Sequence, residues 1–332
     1  MNQIKLIKLF LPLMVLMLPV GFVQAESVVS DMLWVAPGKL ISVGTHRLHI
    51  YCRGEANDKP AVIIDSGLGG FSLEWREIQN ELSDKLQICT YDRAGYGWSD
   101  PGPFPRTTKT IITELRTLLS GANIAPPYLL LGHSFGGYNM MYFAKSFPEE
   151  VAGLVLIDSS HPQQADWFPS VYPDLPEGRR RTRYVSTAKL PGNYPQDYRE
   201  VAYHLMSAKK ARNALRFESM NFEISGHQVG RMGSLPEMPL VVLSRGTRAW
   251  PKTRKGEKLE TVWVRLQNEL ARMSEGSTHV IADLSGHYIH LDQPVLIKEA
   301  ILNIVDKPSC GTNNPSVYVE LEQGGTTNVG EC

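Results

Sequence analysis

Residues Leu129–Asn139 read LLLGHSFGGYN, three leucines running into a short polar stretch in which glycines flank a serine. Gly132-His133-Ser134-Phe135-Gly136 fits G-x-S-x-G, a pattern in which a serine stands on a sharp turn between a strand and a helix. The bare pattern is common by chance, so its neighbours decide. YLLLG before the serine is an apolar run of strand length, and FGGYNMMYFAKSF after it carries apolar residues at helical spacing. Small residues at 132, 136 and 137 let such a turn close and let the new helix lie tightly on a sheet. Ser134 is therefore a candidate nucleophile.

Working outward, KLISVGTHRLHIYC (39–52) reads as a hairpin around Gly44, and PAVIIDSGLGG (60–70) as a buried strand ending in a tight loop. A helix is expected over 73–84. LQICTYDRAGYGWSDPGPFP (86–105) is a strand entering a Gly/Pro-rich loop. TTKTIITELRTLLSG (107–121) is a helix capped by Thr107 or Thr108. GLVLID, PLVVLSRG and HVIADLSG supply further strands, with helices at LETVWVRLQNELARMS and PVLIKEAILNIVDK. Apolar strands alternating with amphipathic helices imply a mostly parallel, doubly covered α/β sheet. Residues 161–238 break that alternation and read as an inserted helical cap between core segments 26–160 and 239–309.

A serine hydroxyl needs an imidazole to take its proton and a carboxylate to orient that imidazole. His287 lies on the loop between the last strand and the last helix, at the sheet edge where active sites of open α/β sheets gather. His290 is its neighbour and competitor. Developing negative charge on a carbonyl oxygen needs backbone donors. The N–H of Phe135 is one candidate, and that of Leu68, in DSGLGG, is the other.

The N-terminus has Lys5 and Lys8, an apolar run from Leu9 to Val23 and a Val23-Gln24-Ala25 ending, the pattern of a cleaved signal peptide over 1–25. Export to the periplasm or medium follows, with no membrane span left after cleavage. The four cysteines are then expected to pair, with Cys310 and Cys332 bracketing a polar C-terminal tail, 310–332. Lys+Arg and Asp+Glu are both 34, so no global field favours nucleic acid. Zinc-spaced Cys/His clusters and phosphate-binding glycine loops are absent from the sequence, so no metal or organic cofactor is expected.

DSGLGG, YDRAGYGWSDP, GHSFGG, LVLIDSSHP and SGHYIHLDQP, in this order, resemble the α/β-hydrolase superfamily, in its capped esterase and lipase-like branch. The resemblance implies an α/β-hydrolase fold and a Ser-His-acid triad cleaving carboxylic esters through an acyl-enzyme. A perhydrolase, acyltransferase or peptidase on the same triad, or a non-catalytic binder on the scaffold, stays open. Dehalogenases and epoxide hydrolases of the superfamily attack with an aspartate, against which Ser134 stands.

The acid departs from the common pattern. In most such hydrolases it follows the strand after the cap, but VVLSRGTRAWPKTRKGE has no aspartate at the turn. Asp158, at the end of the strand before the cap, takes the place used in some branches, with Ser159 and Ser160 as neighbours to hydrogen-bond it. Glu257, Glu260 and Asp283 are the alternatives. Asp92 and Arg93 read as structural, an ion pair with glycine turns fixing a loop. The family's strand order makes Cys52 and Cys89 neighbours and pairs them. EGRRRTR (177–183) reads as a solvated face. Trp167, Phe168, Tyr172 and Met206 either line an acyl pocket or pack the cap.

Overall fold

The computed structural model describes residues 35–171 and 190–306. The signal segment, EGRRRTR, Tyr172 and the Cys310–Cys332 pairing all lie outside the described residues.

One eight-stranded sheet organises the chain. In chain order the strands are β1 (Lys39–Ser42), β2 (Arg47–Arg53), β3 (Ala61–Asp65), β4 (Ile88–Tyr91), β5 (Tyr128–His133), β6 (Val151–Ile157), β7 (Leu240–Arg245) and β8 (Thr278–Ala282). Their spatial order is β1-β2-β4-β3-β5-β6-β7-β8; β1–β2 and β2–β4 pair antiparallel and every later pair is parallel. This is the α/β-hydrolase fold. Cys52 and Cys89 face each other in the β2–β4 register and are joined by a disulfide.

The central strands are buried on both faces, which is why they read as unbroken apolar runs rather than alternating ones. Period two still sorts their side chains: Leu130 enters one core, while Leu129 and Leu131 enter the other. The first core is closed by α2 (Thr108–Gly121) and α3 (Phe135–Ser146), through Ile111, Leu115, Met140 and Phe143. The second is closed by α1 (Arg76–Leu82) and α10 (Pro294–Val305), through Ile78, Leu82, Ile297 and Ile301. The Thr107 side chain caps α2 by accepting from the Thr110 N–H, satisfying one of the helix's free donors.

Between β6 and β7 the described chain is helical: α4 (Gln164–Val171), α5 (Gln196–Ser207), α6 (Lys209–Met220) and α7 (Phe222–Gly230). α5 and α6 are separate helices because Ala208 between them adopts an extended backbone (ψ 145°). After β7 comes α8 (Arg254–Leu270), which starts earlier than apolar spacing suggests. Thr253 caps it by accepting from Gly256 N–H, although its first turn carries no apolar face. The expected helix over 73–84 is a 3₁₀ turn, Ser72–Trp75, followed by α1. A short helix, α9 (Ile289–Asp292), precedes α10.

Candidate active site

Ser134 closes β5 and opens α3 with φ 52° and ψ −117°, a left-handed conformation that costs a non-glycine residue about 1–3 kcal/mol. The sheet and helix hold it there. Its N–H donates to the Ile157 carbonyl at 3.1 Å, and its carbonyl accepts from Ser160 and Gly137 N–H groups at 3.0 Å. Glycines around it answer to close approach: a Cβ on Gly136 would overlap the Asp65 carbonyl, and one on Gly137 would overlap Ser159 Oγ. The hydroxyl is half-buried at the carboxyl edge of the sheet.

The bonds to Ile157 and Ser160 bracket Asp158, which has φ 37° and no solvent exposure. His287, on the loop between β8 and α9, brings Nδ1 to 2.6 Å from Asp158 Oδ2. Trp263 Nε1, from α8, donates to Asp158 Oδ1 at 2.9 Å. Arg245, ending β7, donates to the same carboxylate from its N–H at 3.3 Å and from Nη1 to Oδ2 at 3.3 Å. Burial opposes ionisation of Asp158; His287, Arg245 and the Trp263 N–H outweigh it and hold the carboxyl below its usual range. Arg245 is itself balanced by Glu260 at 3.0 Å and lies over the rings of Trp250 and Trp263.

Ser159 and Ser160 do not serve Asp158 as expected: Ser159 Oγ turns back to the Ser160 carbonyl, and the Ser160 N–H goes to Ser134. Arg245 and Trp263 take their place. The competing carboxylates are engaged or remote. Glu260 accepts from Arg245 and from Ala249 and Trp250 N–H groups, Glu257 pairs with Arg248, and Asp283 is exposed. Asp92 and Arg93 do not pair with each other. Asp92 faces His49 at 2.8 Å and accepts Ser72 and Trp98 N–H groups, while Arg93 binds Asp65 and Glu218.

Leu68 is half-buried in the turn after β3, where Gly70 N–H reaches the Gly67 carbonyl at 3.1 Å and Gly69 has φ 84°. That turn lies against the serine: a Cβ on Gly67 would stand 3.2 Å from Ser134 Cβ. Phe135 is the first residue of α3, whose leading N–H groups have no intrahelical acceptor. The turn that carries Leu68 and the start of α3 thus meet at Ser134. Phe168 is packed with Leu259, Trp263 and Leu266, with Trp167 against that cluster, and Met206 packs beside Tyr194 and Val201.

His290 belongs to another cluster. It stacks on Trp75 at 4.1 Å and faces Glu74 across 3.3 Å. Among the described residues Glu74, His133 and His290 are the group spaced to hold a metal, all buried, with ligating atoms within 4.8 Å of one another. The His133 ring also supports the site. Its Nε2 donates to the His287 carbonyl at 2.8 Å, and burial beside His287 and His290 keeps it neutral.

The sequence matches the family described as alpha/beta hydrolase fold over residues 60–229, more than half of the chain. The chain belongs to the α/β-hydrolase family. This α/β-hydrolase is 28% identical over 245 residues to the uncharacterized protein YqjL of Bacillus subtilis (strain 168), covering 73% of this chain and 82% of YqjL. Among solved structures it resembles the enol-lactonase from Burkholderia xenovorans LB400, with TM-score 0.59 at 17% identity over 81% of this chain and all (100%) of that one. It likewise resembles a putative lipase from Acinetobacter baumannii AYE, with TM-score 0.59 at 18% identity over 84% of this chain and 96% of that one. At these identities the likeness is one of fold. No helix among the described residues of this α/β-hydrolase is long and apolar enough to cross a membrane.

Proposed function

We propose that this protein is an exported serine hydrolase that cleaves carboxylic esters through an acyl-enzyme, with Ser134 as nucleophile, His287 as general base and then acid, and Asp158 as its orienting carboxylate. The observation that carries the reading is the 2.6 Å contact of His287 Nδ1 with Asp158 Oδ2, beside an elbow whose backbone is bonded on both sides of Asp158. With Nδ1–H given to the carboxylate, Nε2 is the lone pair that receives the proton of Ser134 Oγ. Oγ then bonds to the substrate carbonyl carbon, and the carbonyl oxygen takes the negative charge. Leu68 and Phe135 N–H groups donate to that oxyanion. His287 returns the proton to the departing alcohol, and water repeats the sequence in reverse roles to release the acid.

In this reading residues 161–238 are a cap over the site, and 26–160 with 239–309 are the core. The Cys52–Cys89 disulfide supports an oxidising destination, in accord with the signal-like N-terminus. The test is intact-mass labelling of the folded protein with a fluorophosphonate and mapping of the adduct, followed by an ester panel. A single adduct on Ser134 with ester turnover is expected. A folded protein that takes no adduct and turns over no ester overturns the reading.

A further inference from the structure

Arg93 follows β4, and its side chain is 1% exposed. All five of its N–H donors are engaged. Nε donates to Glu218 Oε1 at 2.9 Å and Nη2 to Glu218 Oε2 at 3.0 Å. Nη1 donates to Asp65 Oδ1 at 2.5 Å and to the Ser66 carbonyl at 2.6 Å, and Nη2 also to the Gly67 carbonyl at 2.8 Å. An anchor serving charge balance alone needs carboxylates. Besides three bonds to carboxylate oxygens, this guanidinium directs two donors to main-chain carbonyls, those of the two residues before Leu68. Two carbonyls of the turn bearing the Leu68 N–H are therefore held by one side chain.

That side chain is held in turn from outside the sheet. Glu218 lies on α6, 125 residues from Arg93, fully buried, and also accepts from Tyr96 Oη at 2.9 Å. The same helix reaches the turn by a second route. Leu215 lies 3.5 Å from where a Cβ on Gly69 would stand, and a Cβ on Gly95 would come within 2.7 Å of Ala214. Asp65 is fixed from the opposite side by Asn139 Nδ2 of α3 at 2.6 Å. Despite its burial, Arg93 is kept firmly charged by Glu218 and Asp65.

We propose that Arg93 and Glu218 are positioning residues for the Leu68 oxyanion donor, so that the oxyanion site is complete only while α6 is docked on the core. This rests on the esterase reading of Ser134. It makes the segment between β6 and β7 a control on the rate of the chemical step, in addition to whatever it contributes to substrate fit. Displacing α6 removes two of Arg93's five acceptors and frees the guanidinium to leave the Ser66 and Gly67 carbonyls.

The experiment compares Glu218→Gln with wild type on a p-nitrophenyl ester and against a trifluoromethyl ketone, which forms a tetrahedral adduct on the serine. Misplacing one oxyanion donor is expected to lower kcat by about 10- to 100-fold while KM stays within about twofold. Trifluoromethyl ketone affinity is expected to fall by the same factor as kcat. Tyr96→Phe removes one bond to Glu218 and keeps the ring, giving a milder loss of the same kind if Glu218→Gln does not fold. Folded variants with wild-type kcat and ketone affinity, and only a lowered melting temperature, overturn the proposal. Wild-type protein that neither turns over ester nor takes a fluorophosphonate adduct defeats the underlying site reading instead.

Discussion

Trp263 Nε1 donates to one oxygen of Asp158 at 2.9 Å while His287 Nδ1 meets the other at 2.6 Å, so the carboxylate is held at both of its atoms. The indole, together with Arg245, limits how the carboxylate can turn beneath the imidazole. Trp263→Phe keeps the ring among Phe168, Leu259 and Leu266 and removes the N–H. We expect a loss of about 1–3 kcal/mol in stability, from an acceptor left short of a donor, measured by urea melts. With the carboxylate then held by Arg245 and His287 alone, kcat on an ester should fall by about tenfold, with KM little changed.

Asp158→Asn is nearly isosteric and presents an amide to His287 Nδ1. The imidazole then settles in the wrong tautomer, with its proton on Nε2, where the proposed mechanism needs a lone pair. Turnover is expected to fall by about 10⁴-fold. Wild-type-like kcat in the folded variant would move the acid role away from Asp158, and the loop after Arg245 would be the next place to test.

Much of this arrangement could be read from the chain before any coordinates. YLLLG and GLVLID are buried on both faces, so their apolar runs are long and end abruptly at glycine or aspartate. The helix after Ser134 is marked by its spacing, and His287 by its place on the last loop. The family resemblance pointed to Asp158 at a strand end, and its carboxylate does lie against His287. Its supports were not legible, because Trp263 and Arg245 reach it from 105 and 87 residues away and carry no local pattern that says so. Ser159 and Ser160 were the near neighbours, and proximity in sequence misled: the positive φ at Asp158 turns the chain so that they face the elbow. Glu218 is the same case in reverse. Nothing local in NALRFESM marks it, and only the folded chain pairs it with Arg93.

Cys52 and Cys89 close a separation of 37 residues across the antiparallel junction of the sheet. In the loop-entropy model, removing that link costs about 4 kcal/mol. The double variant Cys52→Ser/Cys89→Ser should therefore unfold at clearly lower urea concentration than wild type. Reduction with dithiothreitol should shift wild type in the same direction. Equal midpoints for variant and wild type would count against a structural role for the link.

Burial lowers His161 to about 4, against 6.5 for a free imidazole. Its Nδ1 accepts from the Gln163 N–H at 3.1 Å, a bond available only to the neutral ring. Between those two values the unfolded chain binds a proton that the fold excludes, so stability falls as pH drops from about 6.5 to about 4. The loss from this group alone reaches about 3 kcal/mol, and His133, lowered by burial, acts in the same direction. Urea melts from pH 7 to pH 4.5 should show this decline, and His161→Asn should flatten it.

The first turn of α2 is closed from outside its own segment. Thr108 N–H donates to Ser225 Oγ at 3.1 Å and Lys109 N–H to Gln228 Oε1 at 3.0 Å, both acceptors coming from α7. Two backbone amides of the core thus depend for protection on side chains carried by the stretch between β6 and β7. Hydrogen exchange at Thr108 and Lys109 therefore reports on α7: the protection of both amides measures how large a fraction of the time that helix is away from α2.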